Sequence, residues 1–165
     1  MIIRDNLLDP DAYRELENAV KDSPFTLRPN KVFKNDGNEC LTQIAYHHYK
    51  PLTDLFPIIN TYFASPLNVA AWYRIRLCLT WKEQTQRVYG YHCDYLEPDV
   101  DKFKHMTTSV FYLNNTNGPT IFEESQKKVE CIKNRLLTFD TNISHSAMSH
   151  TEGDNPRIVI NFNYF

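Results

Sequence analysis

A chain of 165 residues, 42% of them hydrophobic, is long enough to bury a core and suits one domain over 1–165. Its 18 basic and 20 acidic side chains leave a net charge of −2, which excludes a whole-chain basic field for nucleic acid and leaves only a local patch open. No apolar run reaches bilayer length, M-I-I-R-D-N lacks a signal-peptide pattern, and Cys40, Cys78, Cys93 and Cys131 form no C-x-x-C pair; the expectation is a cytoplasmic protein with reduced thiols and no membrane partner.

Ile2 and Ile3 suit a short first strand. Asp9-Pro10 reads as an N-cap followed by the first helical residue. Ala12, Leu16, Ala19 and Val20 then recur on one face to about Lys21, and Ser23-Pro24 stops the helix. Residues 28–39 carry Pro29, Asn30, Asn35, Asp36 and Gly37, the chemistry of a loop or hairpin. A second helix fits 52–63, with Pro57 forcing a late start or a kink. From Val69 the period becomes two. Tyr73, Ile75, Leu77, Leu79 and Trp81 share one face and Arg74, Arg76, Cys78 and Thr80 the other, as in a half-buried strand. Further strands are predicted over 87–94, 107–114, 120–123, 127–133, 135–139, 143–148 and 157–165, many of them separated by turn chemistry such as N-N-T-N-G-P, D-T-N and E-G-D-N-P. Helices first and strands after indicate α+β, with a helical support region over 1–68 and a sheet sandwich or barrel over 69–165.

The chemistry starts in Y-G-Y-H-C-D-Y, residues 89–95. In an extended strand His92 and Asp94 point to one side and Cys93 to the other, offering a divalent metal an imidazole and a carboxylate. Chance supplies roughly 0.4 H-x-D pairs in a chain of this make-up, so the pair alone reads more simply as a surface histidine beside a turn-starting aspartate. A second imidazole is available from His145, on a predicted strand just after a tight turn. His150 lies in loop chemistry, S-H-T-E-G-D-N-P, which positions a ligand poorly, so His145 is preferred. His145 could equally hydrogen-bond within the sheet. The final strand alternates Ile158, Ile160, Phe162 and Tyr164, a face for packing helices, with Arg157, Val159, Asn161 and Asn163. Arginine there suits a small carboxylate held by two parallel hydrogen bonds, or simply begins a surface strand. Thr108, Val110, Tyr112 and Asn114 share a face, bringing the Tyr112 hydroxyl to the same cavity or to the rim of the core.

In order, H-C-D, S-V-F-Y-L-N-N, N-G-P-T-I-F-E, N-R-L-L-T-F-D-T-N-I-S-H and P-R-I-V-I-N-F-N-Y-F resemble the Fe(II)/2-oxoglutarate-dependent dioxygenases. Within that superfamily the chain looks most like the prolyl 4-hydroxylase-like branch with its small microbial and phage members. The resemblance covers about 73–165. It implies a double-stranded β-helix (jelly-roll, cupin-like) core with N-terminal helices packed on the major sheet. It implies His92, Asp94 and His145 as iron ligands and Arg157 as the anchor of the far carboxylate of 2-oxoglutarate. Tyr112 would hydrogen-bond that carboxylate, and Asn161 and Asn163 would line the co-substrate pocket. The implied cofactors are Fe(II), 2-oxoglutarate and dioxygen, with ascorbate as a supporting reductant, and the implied reaction hydroxylates a C–H bond with release of succinate and carbon dioxide. Three ligands on one face of an octahedral ion leave three positions for co-substrate and oxygen. Two features depart from that family. Twelve residues separate His145 from Arg157, implying a small insertion around 152–155, and Gly118-Pro119 stands where Gly-Gly is frequent.

Two other functions share part of this pattern. A cupin-like zinc or manganese hydrolase or isomerase would use the same three ligands but has no reason for Arg157 and Tyr112 at a second carboxylate. A non-catalytic sheet domain binding sugar or protein needs none of the histidines. Substrates across the family include peptidyl proline, other protein side chains, free amino acids, nucleobases and small metabolites; peptidyl proline or another protein residue is favoured here. Arg74, Arg76, Trp81, Tyr89 and Tyr91 offer charge and flat rings for a peptide or a base, or pack within the sheet. The charged loop 96–105, with Glu97, Asp99, Asp101, Lys102 and Lys104, reads as a mobile lid that selects substrate.

Overall fold

The structure, a computed structural model, describes residues 1–28, 40–94 and 105–165. The loop read over 28–39 and the lid read over 96–105 therefore lie outside the described residues, apart from Arg28 and His105.

Helix α1 (Pro10–Lys21) starts at its predicted cap. The Asp9 carboxylate accepts from the N–H groups of Asp11 and Ala12, both at 3.0 Å, satisfying two donors that the helix itself cannot. Helix α2 (Leu55–Phe63) starts later than the 52–63 reading because Pro57 is tolerated only in a first turn, where it lies. The strands are β1 (Ile2–Arg4), β2 (Thr26–Arg28), β3 (Cys40–His47), β4 (Lys50–Pro51), β5 (Trp72–Thr80), β6 (Thr107–Tyr112), β7 (Thr116–Phe122), β8 (Lys128–Cys131), β9 (Arg135–Asp140), β10 (His145–Ala147) and β11 (Arg157–Tyr164). They form a main sheet in the order β1-β9-β6-β11-β5-β3-β2, with β4 on β3, and a minor sheet in the order β10-β7-β8; all pairings are antiparallel. The first 68 residues thus contribute four strands to the main sheet as well as two helices.

The helices cover one face of the main sheet. Leu16, Ile59 and Phe63 pack there on Ile75, Leu77, Phe111, Ile160 and Phe162, with the Phe63 ring 5.0 Å from Phe111 and 4.7 Å from Phe162. On the other face Cys78, Val110, Tyr112 and Val159 meet Phe122 and Val129 of the minor sheet, together with Leu137 and Phe139 of β9. Strand β5 is consequently buried on both faces, which corrects the half-buried reading of its alternation. Trp81 falls past the strand end and is 42% exposed.

Three other local expectations change. Residues 87–94 do not form a continuous strand; their pairing with the chain around β10 is limited to isolated bridges at Val88↔Met148 and His92↔His145. Between these bridges three residues on one side face two on the other, so one extra residue interrupts the ladder. Strand β3, C-L-T-Q-I-A-Y-H, carries no clean period because it is a covered strand with a bulge between Ile44 and Tyr46. Strand β7 starts at Thr116 and runs through Gly118-Pro119, with a register slip between Thr116 and Thr120 that accommodates both residues.

Candidate metal centre and anion pocket

The inner face of β11 carries Arg157, Val159, Asn161 and Asn163, and the site is built along it. At one end stands Asp94, 4% exposed. Its Oδ1 accepts from Arg74 Nη2 at 3.0 Å. Its Oδ2 accepts from Asn161 Nδ2 at 2.9 Å, Asn163 Nδ2 at 3.1 Å and Thr108 Oγ1 at 3.3 Å. Burial would raise the Asp94 pKa, but the Arg74 guanidinium, followed by His145, Arg76 and His92, holds it well below the usual carboxylate range. Burial also works against the charge of Arg74 and outweighs Asp94 there, though a guanidinium remains protonated. Arg74 Nε donates to Asn163 Oδ1 at 2.9 Å, closing a ring of hydrogen bonds around the carboxylate. With three donors on Oδ2 and one on Oδ1, Oδ1 is the oxygen that keeps an open lone pair.

His92 and His145 face each other across their isolated bridge, exchanging N–H···O bonds of 2.9 and 3.0 Å. Each ring places Nδ1 on a carbonyl two residues upstream. His92 Nδ1 is 3.1 Å from Gly90 O, and His145 Nδ1 is 3.0 Å from Ile143 O. That arrangement puts the proton on Nδ1 and leaves the Nε2 lone pair for a metal. His92 Nε2 lies 3.9 Å from Asp94 Oδ1 and His145 Nε2 lies 4.0 Å from Oδ2; one ligand atom from each of the three residues falls within 4.8 Å of the others. An ion bound at about 2.0–2.2 Å on one face would draw these atoms together by roughly 1 Å or more. Cys93, between two of them, points away and donates its thiol to Asn142 O at 3.1 Å.

Arg157 lies four residues before Asn161 on the same face, roughly 13 Å along the strand. It is 4% exposed; its Nε donates to Gly118 O at 2.9 Å, and its Cζ is 5.7 Å from the centre of the Tyr112 ring. Gly118 makes this approach possible. A Cβ there would lie 2.9 Å from Met148 O, 3.0 Å from His150 Cβ and 3.4 Å from Arg157 Cδ. The close approach thus needs glycine at this one position of β7. The start of β11 is fixed by Asn114, whose Oδ1 accepts from Ile158 N at 3.0 Å and whose Nδ2 donates to Pro156 O at 2.7 Å.

Several residues picked from the sequence have other partners. Tyr112 is fully buried, which raises its phenol above the ordinary value, and it donates its proton to Thr120 Oγ1 at 2.7 Å. The Asn161 and Asn163 amides donate to Asp94. Arg74, considered for substrate, is bonded to Asp94. Tyr89 is buried and donates to Glu83 Oε1 at 2.7 Å, and Glu83 also holds Arg87. Thr108 and Asn114 share the face predicted for Tyr112, but neither residue type signals what it bonds. His150, expected in a loop that positions a ligand poorly, is completely buried.

No protein-family model matches the sequence, and no curated protein does. Solved structures do. A 2OG-Fe(II) oxygenase family oxidoreductase from Burkholderia pseudomallei superposes with a TM-score of 0.70 at 9% identity, over 99% of this chain and 84% of that one. The fold is that of the 2OG-Fe(II) oxygenases. A prolyl hydroxylase from Trichoplax adhaerens, in complex with a hypoxia inducible factor peptide, gives 0.67 at 15% identity over 99% and 82% of the two chains. HygX from Streptomyces hygroscopicus, with nickel and 2-oxoglutarate bound, gives 0.65 at 8% identity over 99% and 81%. The expected α+β double-stranded β-helix, with helices on its major sheet, is therefore present. Among the described residues no helix is long and apolar enough to cross a membrane.

Proposed function

We propose that this protein is an Fe(II)- and 2-oxoglutarate-dependent oxygenase that hydroxylates a C–H bond. The observation that carries the proposal is the pairing, on one strand face, of a His92–Asp94–His145 cluster with a buried arginine resting on a glycine cradle. The donor set fits the metal: two imidazole nitrogens and one carboxylate oxygen on one side leave the other side free. The cradle fits the co-substrate, since an arginine fork matches a carboxylate in a way that lysine does not. Iron(II) with 2-oxoglutarate and dioxygen supplies the oxidation, yielding succinate, carbon dioxide and a hydroxylated substrate.

The side chains position these groups. His92 Nε2, His145 Nε2 and Asp94 Oδ1 hold the ion. Asn161, Asn163 and Thr108 fix the other Asp94 oxygen, and Arg157 fixes the far carboxylate. A zinc or manganese hydrolase would share the three ligands but leave Arg157 and Gly118 without a purpose. The favoured substrate is a protein segment, with peptidyl proline first. Beside Arg74, its cross-strand neighbour His47 packs on His48 with ring centres 3.9 Å apart, and Tyr73 stands edge-on to both. Such flat rings give an apolar ring something to rest on. Four cysteines outside any disulfide, three of them buried, suit the reducing cytoplasm.

Anaerobic addition of Fe(II) and 2-oxoglutarate tests the reading. A weak visible charge-transfer band is expected, followed on admission of oxygen by succinate release that rises with peptides in a screen of peptide, nucleic-acid and metabolite pools. Folded, metal-loaded protein without the band would sink the oxygenase reading; succinate stimulated only by nucleic acid or metabolites would sink the peptide.

A further inference from the structure

We infer that His150 is a second anchor for the far carboxylate of 2-oxoglutarate, acting beside Arg157; the inference rests on the oxygenase reading above. His150 is 0% exposed, and neither of its ring nitrogens has a hydrogen-bond partner. A buried polar group left unpaired is a standing cost that a bound ligand can remove. The residue is not loosely placed. Its carbonyl accepts from Glu83 N at 2.9 Å, and the next residue is tied to Asn117 through Thr151 N at 2.8 Å and Thr151 Oγ1 at 2.9 Å. Its Cβ and the Arg157 Cδ flank Gly118, so the imidazole and the guanidinium share one wall. Tyr112, which the family resemblance assigns to this carboxylate, has donated its only proton to Thr120. His150 has a donor still to place.

The groups facing the ring are Arg157 from β11, Lys82 and Glu83 just beyond β5, and the Asp154 backbone, which lies nearby but outside bonding geometry. Glu83 itself is tied to Arg87 and Tyr89. Burial first, then the Arg157 charge, lower the His150 pKa, so the ring is neutral before the ligand arrives. A carboxylate set between His150 and Arg157 favours the imidazolium, so binding draws a proton from solvent.

Calorimetric titration of the anaerobic Fe(II)-loaded protein with 2-oxoglutarate, and with 2-oxobutyrate, which lacks the far carboxylate, reads this directly. Repeating each titration in two buffers of different ionisation heat counts the protons. Wild type is expected to take up a proton with 2-oxoglutarate and none with 2-oxobutyrate. His150→Leu is expected to weaken 2-oxoglutarate about tenfold, leave 2-oxobutyrate and Fe(II) binding unchanged and abolish the uptake. His150→Gln keeps a donor, so it should retain most of the affinity and lose only the uptake. Wild-type binding of 2-oxoglutarate without proton uptake would overturn the inference even if His150→Leu failed to fold, and so would wild-type affinity in His150→Leu. Loss of 2-oxoglutarate binding in wild type itself, with Fe(II) bound, would instead overturn the oxygenase reading.

Discussion

Replacing Arg74 with methionine is expected to move the stability of the metal-free protein and its metal affinity in opposite directions. Arg74 is a buried cation bonded to the carboxylate proposed to take a dication. The two side chains are 13% and 1% exposed, with 3.0 Å between Nη2 and Oδ1. Without metal, Arg74 is the main opposite charge for Asp94, and removing one member of such a buried pair costs about 3–5 kcal/mol. With metal, the sign changes. An ion bonded to the same oxygen at about 2 Å would stand roughly 5 Å from the guanidinium. At an effective dielectric near 20, that repulsion is about 7 kcal/mol before relaxation. A fifth of it amounts to about tenfold in affinity. Arg74→Met should therefore lower the metal-free unfolding free energy by about 3–5 kcal/mol and tighten Fe(II) or Zn(II) binding about tenfold or more. Denaturant unfolding and competition with a calibrated chelator measure the two quantities. A fall in both would refute the reasoning and make Arg74 a residue that positions Asp94 rather than one that competes with the ion.

Three further substitutions separate the parts of the site. Asn163→Ala removes a donor to Asp94 and the acceptor of Arg74 Nε, so metal affinity should fall about 10–100-fold by chelator competition; Asn161→Ala should destabilise less, because its Oδ1 already lacks a partner, and equal unfolding losses would contradict this. Gly118→Ala pushes on His150 and Arg157 and should cost about 1–3 kcal/mol, raising the Kd for 2-oxoglutarate in calorimetry more than that for metal; an equal rise in both would count against the cradle. Asp5 binds Arg135 through contacts of 2.6 and 2.9 Å, which tie the chain just after β1 to β9. The Arg135 hydrogen bond holds the Asp5 pKa below its ordinary value. Its contribution is therefore present above the unfolded pKa of about 3.9 and is lost as pH falls through the lower folded value. Because Asp5 is half-exposed, Asp5→Asn should cost less than about 1 kcal/mol at pH 7, seen as a small Tm gap that closes in acid; a gap independent of pH would refute the pairing.

What was legible in the sequence was legible for local reasons. Asp9-Pro10 announces α1 because cap and first turn are adjacent in the chain. The alternation of β11 announces both its faces, and the inner one holds Arg157, Asn161 and Asn163. Strand β3 was invisible because covered faces and a bulge erase the period that marks a strand. The same limit applies inside the site. His92 and Asp94 share a side by spacing, but nothing local says that Arg74, Thr108, Asn161 and Asn163, from three strands, converge on one carboxylate. His150 shows the limit most sharply. S-H-T-E-G-D-N-P is turn chemistry, yet Asn117, more than thirty residues upstream, draws that turn inward through its side chain.

His92 and Asp94 lie in weakly paired chain, and this locates where a bound ion should act. His92 and His145 meet at one isolated bridge, and His145 is otherwise paired with Phe122 of β7. Their orientation comes instead from Gly90 O and Ile143 O for the imidazoles and from β5, β6 and β11 for the carboxylate. An ion would therefore join the 92–94 segment to β10 of the minor sheet through two imidazoles, and both to the main sheet through Asp94. Mass action gives about 4 kcal/mol of added stability at a thousandfold excess over Kd. Local opening of a seam with few ladder bonds needs less free energy than global unfolding. Amide exchange should accordingly slow with Zn(II) at His92 and His145, whose N–H groups bond each other's carbonyls, at metal levels too low to change β11. Equal slowing in both places at those levels would mean that the ion stabilises the whole fold without closing this seam.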